Sequence, residues 1–501
     1  LRRPLAACLI ALAAACGKQP AIPARLIVAP VENLATGLDW APVALQALLA
    51  ARLSGLDVER AGLDVERAAT AGDARGAVGR TPLYCRIEGE PGKARFACWL
   101  AGRDEVFTAS GSGLATLVSA VAKNLHPAAS DSAVPDEALR AYGERRFADA
   151  VSLAPDFGAA YVDSGDPELV KRGLARGASI GQEPLARLRF AEAARGRDPK
   201  AIAQALTALA EFRPGDAALW NQLGYQRSFA KDLTGARAAM AEYAKLAPGA
   251  NALDSLGDVN YYAGEFAEAE KRYVEAFEKD SAFQRGGSLY KAAYARLRMK
   301  DPAGAQKHWD RYLAQAAAAE RPALAASWLF VVGKKDEAEK AALAGNSPQG
   351  LLAASVWARA RGDAATARER WVKALGGRVT SAQGLMAAFL GQPAASPSEW
   401  QRRASVQMAD PRFEDLRDGL LAAALLFDGH YAAAEAPARR TFGRQQPQSD
   451  GVARTMLAWA LDGAGKKDEA RELLAVHPPP ALPSASPLAP VLMAKELELS
   501  R

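Results

Sequence analysis

GEFAEAEKRYVEAF, residues 264–277, opens on Gly and an acid, places a small residue sixth, an aromatic tenth and Ala thirteenth. Residues 362–375, GDAATARERWVKAL, repeat that layout. Aligned by the small sixth residue, further echoes fall at Val170, Ile202, Ala236, Ala269, Ala305, Ala338, Ala367, Ala434 and Ala470. Their spacing is ~34 residues, with one double step between Ala367 and Ala434. A degenerate unit near Ser381–Met408 fills that step and is interrupted by GQPAASPS. Each echo reads as one helix of a helix–turn–helix pair, punctuated by Asp- or Gly-containing turns such as Lys231–Gly235 and Gly465–Asp468. One pair alone cannot cover its apolar faces. Stacked copies build a continuous core.

The clearest unit is WNQLGYQRSFAKDLTGARAAMAEYAKLAP, residues 220–248, with Trp220, Leu223-Gly224, Ala236 and Pro248. The next repeats Leu256-Gly257, Ala269, Tyr273 and Ala276. These residues resemble the tetratricopeptide repeat family. The resemblance covers 139–476, most plainly 183–320 and 346–376, and implies a mainly α solenoid. Small residues belong where two helices meet, with a large neighbour filling the gap, so Tyr273, Trp309 and Trp371 read as core.

In that family the first helix of each pair lines a concave groove that receives a protein or peptide. Carried over position by position, the resemblance puts Asn221, Tyr225, Asn251, Asp254, Asp258, Tyr261, Tyr290, Tyr294 and Arg298 toward it. Tyrosine combines apolar area with a hydroxyl at low entropy cost, a chemistry common at interfaces. The alternative is that the tyrosines pack between neighbouring repeats, with their hydroxyls at the rim. The Lys/Asn clamp by which some relatives hold a peptide's terminal carboxylate is not spelled, since Asn221 and Asp254 occupy comparable places.

Ahead of the repeats, residues 25–127 read as a small α/β domain. Leu26–Ala29 is a short strand run, Ala41–Leu53 has helical apolar spacing, a strand is expected near Glu105–Ala109 and a closing helix from Gly113 to about Asn124. Val28-Ala29-Pro30-Val31-Glu32-Asn33-Leu34 and Leu38-Asp39-Trp40 resemble the TolB-type amino-terminal domain. That likeness implies protein contacts and no catalytic role. A seven-residue duplication, GLDVERAGLDVERA at Gly55–Ala68, reads as an enlarged strand end or loop without a function. HPAASDSAVPDEA supplies a linker at 128–138, and 477–501 reads as a Pro-rich tail to which no role is assigned.

LYCRIEGEPGKARFACWL turns at Pro91-Gly92 between two alternating runs. A two-residue turn sets Glu90 against Lys93 and, stepping outward, Cys85 against Cys98, within disulfide reach. Cys85, Ile87, Phe96 and Cys98 then share one apolar face, with Arg86, Glu88 and Arg95 on the other. Two buried thiols, or a zinc site lacking its other ligands, are the alternatives.

The first residues, 1–16, carry Arg2-Arg3, an apolar run from Leu5 to Ala15, and Leu12-Ala13-Ala14-Ala15-Cys16-Gly17. The run is shorter than the ~20 residues that span a bilayer and fits a secretory signal. Its end resembles a bacterial lipobox, which implies lipidation of Cys16. The membrane contact is then a lipid anchor, in a periplasm-facing lipoprotein of the outer rather than the inner membrane. Cleavage after Ala13 or Ala15 would instead give a soluble periplasmic protein.

Chemistry is sparsely signalled. Net charge is only +6 over 501 residues, and short basic pairs such as Arg402-Arg403 sit beside acids, so no nucleic-acid face is expected. The four His, at 126, 308, 430 and 477, have no Cys or His partner at metal-ligand spacing. Gly286-Gly287 lacks the end of a phosphate loop, and Gly111-Ser112-Gly113 misses the nucleophile-elbow pattern. No cofactor or metal is expected. The sequence therefore points to an exported protein-interaction scaffold. Alternatives are a regulatory or sensor subunit of an envelope signalling system and, last, an enzyme of unrecognised type.

Overall fold

The computed structural model describes residues 25–53, 56–60, 80–129, 134–344, 346–376, 381–410, 413–445, 451–480 and 486–500. Cys16 and the second copy of the duplication lie outside them. The chain divides into two compact units, Leu1–Asp198 with Gln204–Asp216, and Pro199–Ala203 with Ala217–Arg501.

The first unit holds a mixed sheet of β1 (Arg25–Val28), β2 (Glu32–Ala35), β3 (Asp57–Arg60), β4 (Thr81–Glu90), β5 (Lys93–Leu100) and β6 (Val106–Gly111). The order is β3-β1-β4-β5-β6, with β2 also pairing β4. β1 runs parallel to β3 and β4, whereas β4, β5 and β6 alternate in direction. Alternation decides the faces. Leu26, Val28, Leu83, Cys85, Ile87, Phe96 and Cys98 are buried in one cluster with Leu45, Leu49, Leu117 and Val121 of helices Ala41–Arg52 and Leu114–Leu125. The register sets Glu90 against Lys93 and Cys85 against Cys98, and the two cysteines are joined by a disulfide. β2 and β3 were not expected. β3 is built by the first copy of the duplicated heptapeptide.

Residues 130–133 of the spacer expected at 128–138 lie outside the described residues, and residues on either side of them pack with this domain. Ala129 and Val134 are buried, and Tyr142, Phe157, Tyr161 and Leu188 enter the same cluster as Leu45 and Leu117. Three contacts fix the junction. Asp136 accepts from the backbone N–H of Leu114 and Ala115, capping the closing helix from outside. Gly143 approaches Trp40 so closely that an added Cβ would stand 2.2 Å from the Trp40 carbonyl oxygen. Arg60 at the end of β3 donates 2.7 Å bonds to both oxygens of Asp163 and a 3.0 Å bond to the Tyr142 hydroxyl. The physical reason is coverage: a helix as apolar as Ala41–Arg52 needs apolar neighbours beyond the sheet.

The second unit is a run of helical hairpins. They are Ala217–Phe229 with Leu233–Leu246, Ala250–Tyr262 with Phe266–Lys279, Gly287–Arg298 with Pro302–Gln315, and Arg321–Val331 with Lys335–Ala344. Pro348–Ala360 with Ala364–Leu375, Ala382–Leu390 with Pro397–Gln407, Glu414–Phe427 with Tyr431–Arg444, and Gly451–Gly463 with Lys467–Leu474 follow. Three-residue turns join most pairs, and their middle residue has positive φ: Gly264, Gly333, Gly362, Gly429 and Gly465, but Lys231 and Lys300 in two others. Asp232, Asp301 and Asp363 then cap the second helices by accepting from Gly235, Gly304 and Thr366.

The aligned small residues Ala236, Ala269, Ala305, Ala338, Ala367 and Ala434 are all wholly buried. Opposite them, Gly257 leaves room for the Tyr273 ring and Gly224 for Met240. In the degenerate unit the equivalent place holds Trp400, also wholly buried, whose ring lies 5.2 Å from Phe389. Its indole N–H donates to Asp428, which also pairs with buried Arg359 and accepts from the Ala395 backbone in the GQPAASPS segment. An aromatic thus replaces Ala where a longer connection widens the hairpin. Tyr273 and Trp309 are core as expected, while Trp371 is half-buried against Gly391.

The tail departs from the sequence reading. Residues Ala489–Leu499 form a helix. It packs on the first helices Arg321–Val331 and Gly451–Gly463. Leu488, Val491 and Leu492 are buried with Trp357, Phe389 and Leu457, and the Trp357 indole donates to the Pro487 carbonyl at 3.0 Å. Six prolines between 478 and 490 disguise this element in the sequence.

Candidate functional site

First helices of neighbouring hairpins lie side by side, as Ala217–Phe229 does with Ala250–Tyr262. The nine groove residues expected from sequence all sit on three of these helices, Ala217–Phe229, Ala250–Tyr262 and Gly287–Arg298. They separate into two groups, with Asn221 and Asn251 outside both. Asn251 is exposed and bonds the Tyr243 hydroxyl at 2.7 Å, and the Asn221 side-chain oxygen has no hydrogen-bond partner.

The first group surrounds a buried lysine. Lys291 donates to Asp254 at 2.6 Å and to Asp258 at 2.8 Å, and all three side chains are buried. Ser288 donates to Asp254 at 2.7 Å, while Tyr225 and Tyr273 donate to Asp258 at 2.9 and 2.8 Å. Burial and the neighbouring Asp258 charge push the Asp254 carboxyl above the usual range, against the pull of Lys291. Burial disfavours the Lys291 ammonium, but the two carboxylates outweigh it and hold its pKa above the usual value. Two acids with one base are tolerated here because three hydroxyls satisfy the remaining acceptor sites.

Sequence reading named both aspartates and missed Lys291 and Ser288. A signal was present: Tyr225, Asp258 and Lys291 are spaced by 33 residues each, one repeat period, so equivalent faces of successive first helices meet.

The second group is Tyr261, Tyr290, Tyr294 and Arg298, and here the expected open groove is covered by the chain itself. Tyr290 points its hydroxyl at the Met493 sulfur, 3.3 Å away. Tyr294 donates to the Met493 carbonyl at 3.1 Å and to Glu496 at 3.3 Å. Arg298 donates to Glu496 at 3.2 Å, to the Ser500 hydroxyl at 3.0 Å, and lies 2.8 Å from His477 Nδ1. Met493 and Leu497 pack with Tyr261, Tyr294 and Val331. A stripe of tyrosines beside Val331 and Trp328 would otherwise leave a large apolar patch in water. Tyr261 is wholly buried and its hydroxyl has no partner.

Two further histidines have structural partners: His308 pairs with Glu270 at 2.7 Å, and His430 with the Ala395 carbonyl at 2.9 Å. Among the described residues, no group of three or more His, Cys, Asp or Glu is placed to hold a metal, and no helix is long and apolar enough to cross a membrane. In the first unit a cleft of 820 Å³ is lined by Val43, Ala47, Leu56, Phe157, Pro184 and Arg187.

The hairpins form a mainly α, solenoid-like helical repeat. No family model matches the sequence, and no curated protein does. Among solved structures the chain is similar to Naa15/Naa10 bound to HypK-THB, at 14% identity over 68% of this chain and 62% of that one, with a TM-score of 0.31. It is also similar to the TPR domain of P58(IPK), at 13% identity over 70% of this chain and 92% of that one, with a TM-score of 0.21. The chain spans less than two thirds of the first of these. The fold assignment rests on the hairpins, their turns and their period.

Proposed function

We propose that this chain is an exported protein-binding scaffold, anchored in a bacterial envelope through a lipid on Cys16, whose first-helix face receives a helical segment of a partner. The observation carrying the binding half is that Tyr290, Tyr294 and Arg298 already grip a helix through one main-chain and several side-chain contacts. Export draws support from the Arg2-Arg3 head, the apolar run ending at Cys16, and the Cys85–Cys98 disulfide, a bond that oxidising compartments maintain. A regulatory subunit is the second reading, favoured by the same covered face, because a covered face suits a binding event that must be triggered.

The test has two arms. A photoreactive side chain at exposed Asn251 in the full chain, expressed in its own envelope, is expected to give one discrete protein adduct. Absence of any adduct there and at neighbouring first-helix positions overturns the scaffold reading. Radiolabelled palmitate is expected in the natural chain and not in Cys16→Ser. Label retained by that variant overturns the anchor.

A further inference from the structure

The seat under the C-terminal helix has the features of a receptor. Tyr290, Tyr294 and Arg298 recur every fourth residue, which makes one stripe along Gly287–Arg298. They read a thioether at Met493, a carboxylate at Glu496 and a hydroxyl at Ser500. None of these groups is peculiar to this chain. A main-chain carbonyl keeps a free lone pair in any helix, so the Tyr294 bond to Met493 is available to any helix laid there.

Three observations mark the resident helix as an imperfect occupant. The Tyr261 hydroxyl, wholly buried in the same cluster as Met493 and Leu497, stays unpaired. Buried polar groups are usually satisfied, and the resident helix, packed in the same cluster, supplies no acceptor for this one. Glu496 keeps only 16% of its side chain exposed, and burial raises its carboxyl pKa despite Arg298. The helix is also set apart from the last hairpin by six prolines between 478 and 490.

We propose that Ala489–Leu499 is a resident stand-in for the partner, displaced by an amphipathic helix that carries an acidic residue for Arg298 and a polar group for Tyr261. This deepens the scaffold reading and rests on it for the existence of a partner. The charge argument fixes the partner's chemistry. Arg298 is buried to 6% side-chain exposure and faces the docked helix, and Arg454 adds a second positive field at Glu496, so a basic helix is excluded from the seat. While the stand-in is docked, the competent state is a minor fraction, and apparent affinity for a partner falls by that fraction.

The experiment uses the full chain and a fluorescein-labelled synthetic peptide of residues 486–501 as the probe. Substituting Met493→Ala with Glu496→Ala weakens the resident helix while leaving every seat residue intact. Hydrogen exchange is expected to rise over 489–499 with the hairpin helices still protected. The peptide is expected to bind this variant saturably and at least about tenfold more tightly than the wild type. Adding Arg298→Ala and Tyr294→Ala is expected to abolish that binding. Three results overturn the proposal: loss of hairpin protection together with the helix, which makes it a structural cap; a released helix with no peptide binding; and concentration-dependent dimers of the wild type, which would give the seat to a second copy of this chain. Peptide binding reads the seat without any cellular partner. A bound peptide with no adduct in the envelope therefore sinks the scaffold reading alone.

Discussion

Lys291 donates to Asp258 across 33 residues, one repeat period, and the same step separates Asp258 from another of its donors, Tyr225. The polar ladder ties three successive hairpins at equivalent positions, so its loss is felt across the repeat. Lys291→Met strips the paired cation from two buried carboxylates and is expected to destabilise the second unit by about 3–5 kcal/mol. Combining it with Asp258→Asn removes one stranded charge and recovers part of the loss. Urea unfolding followed by far-UV circular dichroism measures both.

Gly257 faces the Tyr273 ring, where an added Cβ would stand 2.6 Å from two ring atoms. Gly257→Ala therefore overpacks the second hairpin and is expected to cost about 1–3 kcal/mol. Gly196→Ala, with nothing within 4 Å of the new Cβ, serves as the control and should be close to neutral. Melting temperatures of the two variants side by side decide the matter.

Lys300 holds φ +60° at the turn position that Gly fills in five other hairpins. Lys300→Gly relieves a left-handed side-chain clash and is expected to stabilise by ~0.5–1 kcal/mol after the entropy cost of Gly. The converse change, Gly362→Ala, forces a Cβ into φ +86° and is expected to cost about 1 kcal/mol. Thermal unfolding would read opposite signs at two chemically similar turns.

Acid acts on the docked tail through two groups of opposite sign. Burial, then the charges of Arg298 and Arg454, push the His477 pKa down to about 4. A free His titrates near ~6.5, so the stability held by neutral His477 is present above that value and drains away as pH falls toward 4. Glu496 beside it has its pKa raised by burial, so acid favours its docked form. Arg298, Arg454 and the tyrosines Tyr261, Tyr290 and Tyr294 also face the pair. Between pH 7 and 5, hydrogen-exchange protection factors over 489–499 should fall in Glu496→Gln, which keeps the His477 contribution and loses that of Glu496. His477→Gln should show the reverse slope.

Much of this was legible in the sequence, because a repeat writes its contacts at a fixed interval. The small residue at each helix crossing, the Gly turns and the cysteine register are all local or periodic signals. The tail helix was not legible. Its contacts reach back about 200 residues, as from Met493 to Tyr290 and Tyr294, and no period links them. The groove tyrosines lie on first helices, yet what covers them is decided by a distant segment whose prolines suggest an irregular chain. Trp400 was hidden for another reason: a large residue stood where the pattern asks for Ala, and size compensation shows only once the widened hairpin is seen.

Asp136 capping the helix Leu114–Leu125, and Gly143 pressed against the Trp40 carbonyl, have a bearing on ancestry. The Pro- and Ser-bearing spacer looks like a seam where genes could be spliced, but recombination there would strand the amino-terminal sheet without half of its covering. An exchange that keeps both partners folded has to break farther along, near residue 216, and carry the intervening helices with the sheet as inherited cargo.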